Sequence, residues 1–229
     1  MTPMNWHEFW SPVRLSLQVA LVSSIAVLAL GMGIAWAMSR KPFKGKTLLE
    51  TVFLLPLVLP PTVVGFLLLV LLGRKSWIGR FIEWLFAAPV VFSWWADVIA
   101  SVVVAFPLVY QTLKTGFMSV DRELEEAGRS MGASEWQVFR HITFPLTYRS
   151  AVTAYILGFA RSLGEFGATL MIAGNIPGKT QTIPTAIYVA VDTGNMTMVW
   201  AWTGSVIAFS FLLLLLTGPK RSEGSGRGA

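Results

Sequence analysis

Apolar residues along this chain gather in long blocks instead of alternating with polar ones. A helix needs about 20 mostly apolar residues to cross the hydrocarbon core of a bilayer. Five blocks reach that length, at 15–38, 48–72, 98–117, 151–173 and 199–217. Only the first and last lack both proline and interior charge. The second carries Pro56, Pro60 and Pro61, the third Pro107, and the fourth Arg161 and Glu165. The pattern predicts an all-α, polytopic membrane bundle of about five spans.

Two outer connections are more than loops. Residues 77–95 hold Trp84, Phe86, Phe92, Trp94 and Trp95, which suits an interfacial aromatic belt and a short helix in the membrane surface. Residues 182–191 are apolar but too short to span, and fit either a surface helix or a partial re-entry. The Gly/Ser-rich stretch 222–229 is expected to be a disordered tail. Residues 1–221 are thus read as one transmembrane domain, with a polar loop at 121–145.

Lysine and arginine collect on the cytoplasmic side of membrane proteins. Arg40, Lys41, Lys44, Lys46, Lys114, Arg122, Arg129, Arg140, Arg149, Lys220, Arg221 and Arg227 make twelve on one side. Arg14, Arg74, Lys75, Arg80 and Lys179 make five on the other. With five spans, the N-terminus lies outside and the C-terminus in the cytoplasm. Residues 1–10 have no basic start and the apolar block after them is too long for a leader, so no cleavable signal is expected.

Composition agrees with this reading and narrows it. Of 229 residues, 54% are hydrophobic and 13% charged, about half the usual charged share, and mean hydropathy is +0.62. The net charge of +6 is explained by its placement between spans, so nucleic acid is not expected as a partner, whereas membrane lipid is. There is no cysteine, which excludes disulfides, thiolate metal sites and a cysteine nucleophile. His7 and His141 are far apart, and no metal site is expected.

The loop 121–145 is longer than a connection between two spans requires. Asp121 can cap a helix whose first turn holds Glu123, Glu125 and Glu126 at the positive end of the dipole. Gly132 can end it in a left-handed conformation. Ser134 with Gln137 forms a capping-box pair that opens a second helix, and Pro145 is expected to terminate it. Trp136, Val138 and Phe139 would supply apolar surface for a partner. A solvated charged hairpin is the other reading of the same residues.

Glu126-Ala127-Gly128, then Gly132, then nine residues to Ile142-Thr143-Phe144-Pro145, resembles the EAA loop of ABC importer permeases. Gly128 and Phe144 depart from the family's Ala and Leu and keep small size and apolarity. The resemblance implies a type I importer permease architecture and a coupling helix seated on a separate cytoplasmic ATPase. Glu126, Ala127 and Gly132 would shape the turn, the stretch 134–140 with Ser134, Trp136 and Phe139 would carry the contact, and Gly128, Ile142 and Pro145 would complete the pattern.

Two stretches look like phosphate loops. A P-loop is G-x-x-x-x-G-K-[ST] between a strand and a helix. Lys44-Gly45-Lys46-Thr47 has Arg40 where the leading glycine belongs, and Gly174–Thr180 has three intervening residues instead of four. Neither is expected to hold ATP, so this chain is read as a transport subunit with no catalytic residue. The ATP and magnesium then belong to the partner ATPase, and no cofactor is expected on this chain.

A charge at bilayer depth costs several kcal/mol, on the order of +2.5–3.5 by insertion scales. Arg161 and Glu165 stand four apart, so they can pair, with Ser162, Gly164 and Thr169 adding small or polar groups. One reading is helix packing around an ion pair. The other is a face bordering a hydrated translocation path. Likewise Pro60 and Pro61 mark a broken helix facing a cavity, or a static kink.

LPLVLPPTVVG from Leu55, ARSLGEFGAT from Ala160 and GNIPGKTQTIP from Gly174 resemble the permease subunit of molybdate ABC importers, with similarity running from about residue 41 to 188. That resemblance implies a homodimer in a prokaryotic inner membrane, driven by an ATPase dimer and fed molybdate or tungstate by an external oxyanion-binding protein. A sulfate/thiosulfate permease is the nearest alternative. An ion-gradient transporter and a membrane scaffold are more distant ones.

Overall fold

The computed structural model describes residues 6–40 and 43–217, all of whose regular elements are helical. Lys41, the tail cations Lys220, Arg221 and Arg227, and the stretch 222–229 lie outside the described residues. Three helices are long and apolar enough to cross a membrane, and two bent pairs bring the number of possible spans to five.

Helix α1 (Trp6–Arg40) has 35 residues, about 52 Å at about 1.5 Å per residue. That exceeds a hydrocarbon core of about 30 Å, so the helix is longer than a crossing of that core requires. The second apolar block is two helices, α2 (Lys46–Val58) and α3 (Pro61–Leu72), set at 115° to each other. Pro56 is accommodated inside α2, and the chain turns only at Leu59–Pro60. A residue before proline is biased toward the extended region, and Leu59 has φ −69 and ψ 143. Pro60 is extended as well, and Pro61 then occupies the first helical position, where its missing N–H is no loss.

After α4 (Trp77–Phe86) comes α5 (Trp94–Met118), the central helix. In its most apolar window 61% of residues are buried, against 11% for α11 (Met196–Thr217), which therefore lies at the periphery. The inner surface of α5 serves two cores. On one side Val109 and Leu113 pack with Val27 and Ala35 of α1 and Ala154 of α8 (Phe144–Leu163). On the other, Ala100 and Val104 pack with Val64 and Leu68 of α3 and with Ala168 and Ile172 of α9 (Gly167–Ala173). Small residues permit these close approaches, as is usual between membrane helices. A Cβ on Gly65 would stand 2.7 Å from the backbone of Ala168, so α3 and α9 nearly touch main chain to main chain.

The fourth block is also broken. Helices α8 and α9 meet at 60° across Gly164–Phe166. Beyond it, α10 (Ile183–Asp192) packs Ile183 and Ala186 against Trp202 of α11. The N–H of Ile183 donates to Ser16 Oγ at 2.7 Å, and Trp202 Nε1 donates to the Phe9 carbonyl at 3.1 Å, so α10 and α11 are both fastened to α1.

The aromatic segment 77–95 contains α4, whose Trp77, Phe81 and Trp84 are exposed. In an apolar protein such a face belongs in the membrane interface. The segment 182–191 falls on α10 and its N-cap, Thr182.

Candidate functional site

The polar loop folds as its residues predict up to its midpoint. The Asp121 side chain accepts from the Glu123 N–H at 3.0 Å and caps α6 (Arg122–Ser130). The helix closes with Gly132 N–H donating to Arg129 O at 2.9 Å and Ala133 N–H to Gly128 O at 3.1 Å. This pair of bonds is a Schellman motif and requires a left-handed residue, and Gly132 has φ +86. A Cβ on Gly128 would meet Ile142 Cδ1 at 2.7 Å, so a small residue here lets Ile142 lie against α6. Ser134 and Gln137 make both bonds of the capping box and start α7 (Glu135–Val138).

From there the expectation fails. Pro145 does not terminate the second helix. Helix α7 runs through a π turn (Phe139–Thr143) directly into α8, where Pro145 sits in the first turn. Proline lacks a donor, and its ring crowds the carbonyl four residues back. The wider turn, with the Phe144 N–H reaching back to Phe139 O, relieves that conflict without breaking the rod. The loop's second helix is thus the extension of a membrane helix.

The apolar trio also divides. Trp136 is 62% exposed, but Val138 is fully buried. Phe139 is half-buried between Trp36 at 5.1 Å, Phe117 at 6.2 Å and Phe144 at 6.0 Å, with Trp136 stacked on it at 5.5 Å. Val138 and Phe139 hold the loop to the bundle, while Trp136 faces outward with Met131 and Leu124. Glu126 and Ala127 are exposed on α6.

Arg40, at the end of α1, reaches both Glu125 of α6, at 3.0 Å, and Glu135 of α7. Arg129 joins the same two carboxylates, with Nε 2.7 Å from Glu135 and Nη2 3.3 Å from Glu125. Glu125 also accepts from the Thr143 hydroxyl. The Arg129 hydrogen bond holds the Glu135 carboxyl below the usual carboxylate range. The cluster walls a cleft of about 520 Å³ between α1, α5 and the loop. Sequence reasoning assigned Arg40 only a topological charge. Its partners lie 85 and 95 residues away, beyond any local pattern.

The second group of candidates surrounds the break between α8 and α9. Arg161 Nη1 lies 2.7 Å from Glu165 Oε2, and Glu165 Oε1 accepts from the Ala168 N–H at 2.8 Å. Glu165 is buried, and the Arg161 side chain is 31% exposed. Ser162 and Thr169 are buried inside this chain, and of the five candidates here Arg161 and Gly164 reach its surface. Pro60 and Pro61 are exposed at the α2–α3 turn, beside Gly167, whose Cβ would stand 3.1 Å from Pro61 Cβ. The two helix breaks are therefore neighbours, which the sequence did not reveal.

Neither phosphate-loop lookalike sits between a strand and a helix. The Ile176 carbonyl accepts the N–H groups of Lys179, Thr180 and Gln181 at 2.9–3.1 Å, so those amides turn inward. Among the described residues, no group of three His, Asp or Glu side chains could hold a metal ion.

Residues 28–218 match the family described as binding-protein-dependent transport system inner membrane component. The chain belongs to that family. Within it, this permease is 59% identical over 94% of its length to YvgM of Bacillus subtilis, covering 95% of that protein. It is 47% identical to the molybdenum transport system permease protein ModB of Haemophilus influenzae, over 80% of each chain. The cysT protein of Chlorella vulgaris, named for sulfate transport, is 33% identical over 82% of this chain and 74% of its own. Among solved structures, a bacterial ABC transporter that imports alginate covers 93% of this permease and 77% of its own chain, with a TM-score of 0.71 and 15% identity. The MetNI methionine ABC transporter, in an inward-facing conformation, covers 93% of this permease and 96% of its own chain, with a TM-score of 0.70 and 16% identity. The fold is thus that of an ABC importer permease, and the chain is a multi-pass transport subunit of the inner membrane.

Proposed function

We propose that this chain is the permease of an ATP-driven molybdate importer and forms the translocation path as a homodimer. A cytoplasmic ATPase dimer, seated on the 121–145 loop, drives it, and an external oxyanion-binding protein delivers the substrate. The observation that carries the coupling role is the loop itself. Trp136, Met131 and Leu124 are turned outward while Val138, Phe139 and Arg40 fasten the loop to the bundle. An exposed contact on a rigid base is what a lever needs.

Glu126, Ala127, Gly128 and Gly132 shape that lever, Ser134 starts its second arm, and Ile142 and Pro145 join the arm to α8. The identity to ModB, higher than to cysT, supports molybdate over sulfate. The inward-turned amides after Ile176 support hydrolysis on the partner. The charge asymmetry supports a cytoplasmic loop and an outward N-terminus.

A divalent oxyanion cannot enter hydrocarbon and needs a polar passage that binds it weakly enough to release it. Arg161, Gly164, Pro60 and Pro61, exposed near the paired helix breaks, line that passage, and Ser162, Glu165 and Thr169 support it from within. Differential stabilisation of inward- and outward-open states by ATP does the work, with no covalent chemistry here.

The test is uptake by the permease reconstituted in vesicles with its ATPase and binding protein. ATP-dependent molybdate accumulation, nearly undiminished by a tenfold sulfate excess, is expected, which requires roughly a hundredfold preference in affinity, about 2.7 kcal/mol. Competition by sulfate would favour a sulfate permease, and full-speed uptake without the ATPase would overturn the importer reading.

A further inference from the structure

Helix α8 receives any push on the loop through the backbone, because α7 continues into it. A second, non-covalent connection is also built. One guanidinium, Arg40, bridges carboxylates on both arms of the loop, Glu125 of α6 and Glu135 of α7. It lies over the Trp36 ring at 4.5 Å, and Trp36 in turn meets Phe139 of the π turn at 5.1 Å. The Arg40 and Glu125 side chains are only 16% and 13% exposed. Shielding of that degree separates this pair from an open surface pair such as Arg74–Glu83, with side chains 68% and 33% exposed, which contributes little. At its far end, α1 holds α10 through Ser16 and α11 through the Phe9 carbonyl.

Resting on the coupling reading of the loop, we infer that Arg40 is the strut that passes loop movement to α1, and through α1 to α10 and α11 at the outer face. Arg40 is a positioning residue that touches neither substrate nor nucleotide. A fork that can grip two carboxylates is a task for arginine and not for lysine. The two arms of the loop are locked to each other and to α1 by the same group, so they move as one body.

The chain has no cysteine, so labels can be placed cleanly. The experiment uses the complete complex in vesicles, with a spin label at Trp10→Cys on the outer end of α1. In the parent, the distance between the labels of the two copies should change on ATP binding. Arg40→Ala should keep the ATPase bound, abolish that change, and lower uptake about fivefold or more, the size of an ordinary coupling term. Arg40→Lys keeps the charge but replaces by one nitrogen the two that reach Glu135 and Glu125 separately, and should give an intermediate loss. It serves as the deciding variant if Arg40→Ala also sheds the ATPase. Uptake and label movement in Arg40→Lys equal to the parent's would overturn the strut. An ATPase that never binds the parent would instead remove the coupling reading on which the strut rests.

Discussion

Arg161, in the last turn of α8, and Glu165, within the break before α9, are joined at 2.7 Å. The pair does two jobs at once. It neutralises two charges inside an apolar block, and it leaves Glu165 Oε1 free to accept the Ala168 N–H that opens α9. A helix interrupted within a membrane must satisfy its freed backbone groups from inside the protein, and Glu165 supplies one such acceptor.

Replacing Glu165 with Ala should therefore destabilise the protein by about 3 kcal/mol, at the low end for breaking a buried pair because Arg161 is partly hydrated. Glu165→Gln retains an acceptor for Ala168 and should lose less. Arg161→Ala leaves the buried Glu165 carboxylate unpaired and should lower stability too, yet still assemble with its ATPase and transport poorly. Thermal unfolding in detergent read beside vesicle uptake separates these outcomes. Normal uptake in Arg161→Ala would make the residue a packing element only.

Gly132 offers a clean test of backbone geometry. Nothing lies within 4 Å of where its Cβ would be, but its φ is +86. Gly132→Val should cost about 1–2 kcal/mol of local strain from the left-handed conformation alone and loosen ATPase binding, while membrane insertion is unchanged. Gly33→Ala, in open space and without positive φ, is the matching control and should behave as the parent. Undiminished ATPase co-purification with Gly132→Val would count against the loop as the docking element.

Trp136 and Phe139 stack on each other but should fail differently. Trp136→Ala removes an exposed ring and should weaken ATPase capture at unchanged melting temperature. Phe139→Ala empties a site packed against three helices and should lower stability by about 3 kcal/mol. Equal loss of stability in the two variants would contradict the division between outward contact and inward anchor.

Glu135 sets a pH limit on the clamp. Its carboxyl is held below the usual range by the Arg129 hydrogen bond, with further help from Arg40. A depressed folded value means the stabilisation is complete above the ordinary carboxylate value and is lost as pH falls through the lower, folded one. Hydrogen exchange in 121–145 should be flat from pH 8 to about pH 5 after correction for intrinsic rates, then rise in acid. Glu135→Gln should be looser throughout and lose the acid step. An unchanged acid step in that variant would assign the transition to other groups.

The local code of the loop was readable because caps and turns are made by neighbours. Asp121, Gly132, Ser134 and Gln137 each act within three residues of their partners, and each does what its side chain or backbone freedom allows. Pro145 was misread for the converse reason. A proline stops a helix only if the preceding turn cannot widen, and here the five residues from Phe139 to Thr143 widen it.

By itself, the sequence determined five apolar blocks, the proline pair at which the second of them breaks, the capping of the 121–145 loop and the family to which the chain belongs. These follow from composition, periodicity and short-range chemistry. Tertiary structure alone decided that the chain turns by 115° at Leu59–Pro60, that the two breaks are neighbours, that Phe139 faces inward while Trp136 faces out, and that Arg40 clasps Glu125 and Glu135 from another helix. Those features depend on which helices come to lie together. That is settled by small residues and complementary side chains tens of residues apart, where no local pattern extends.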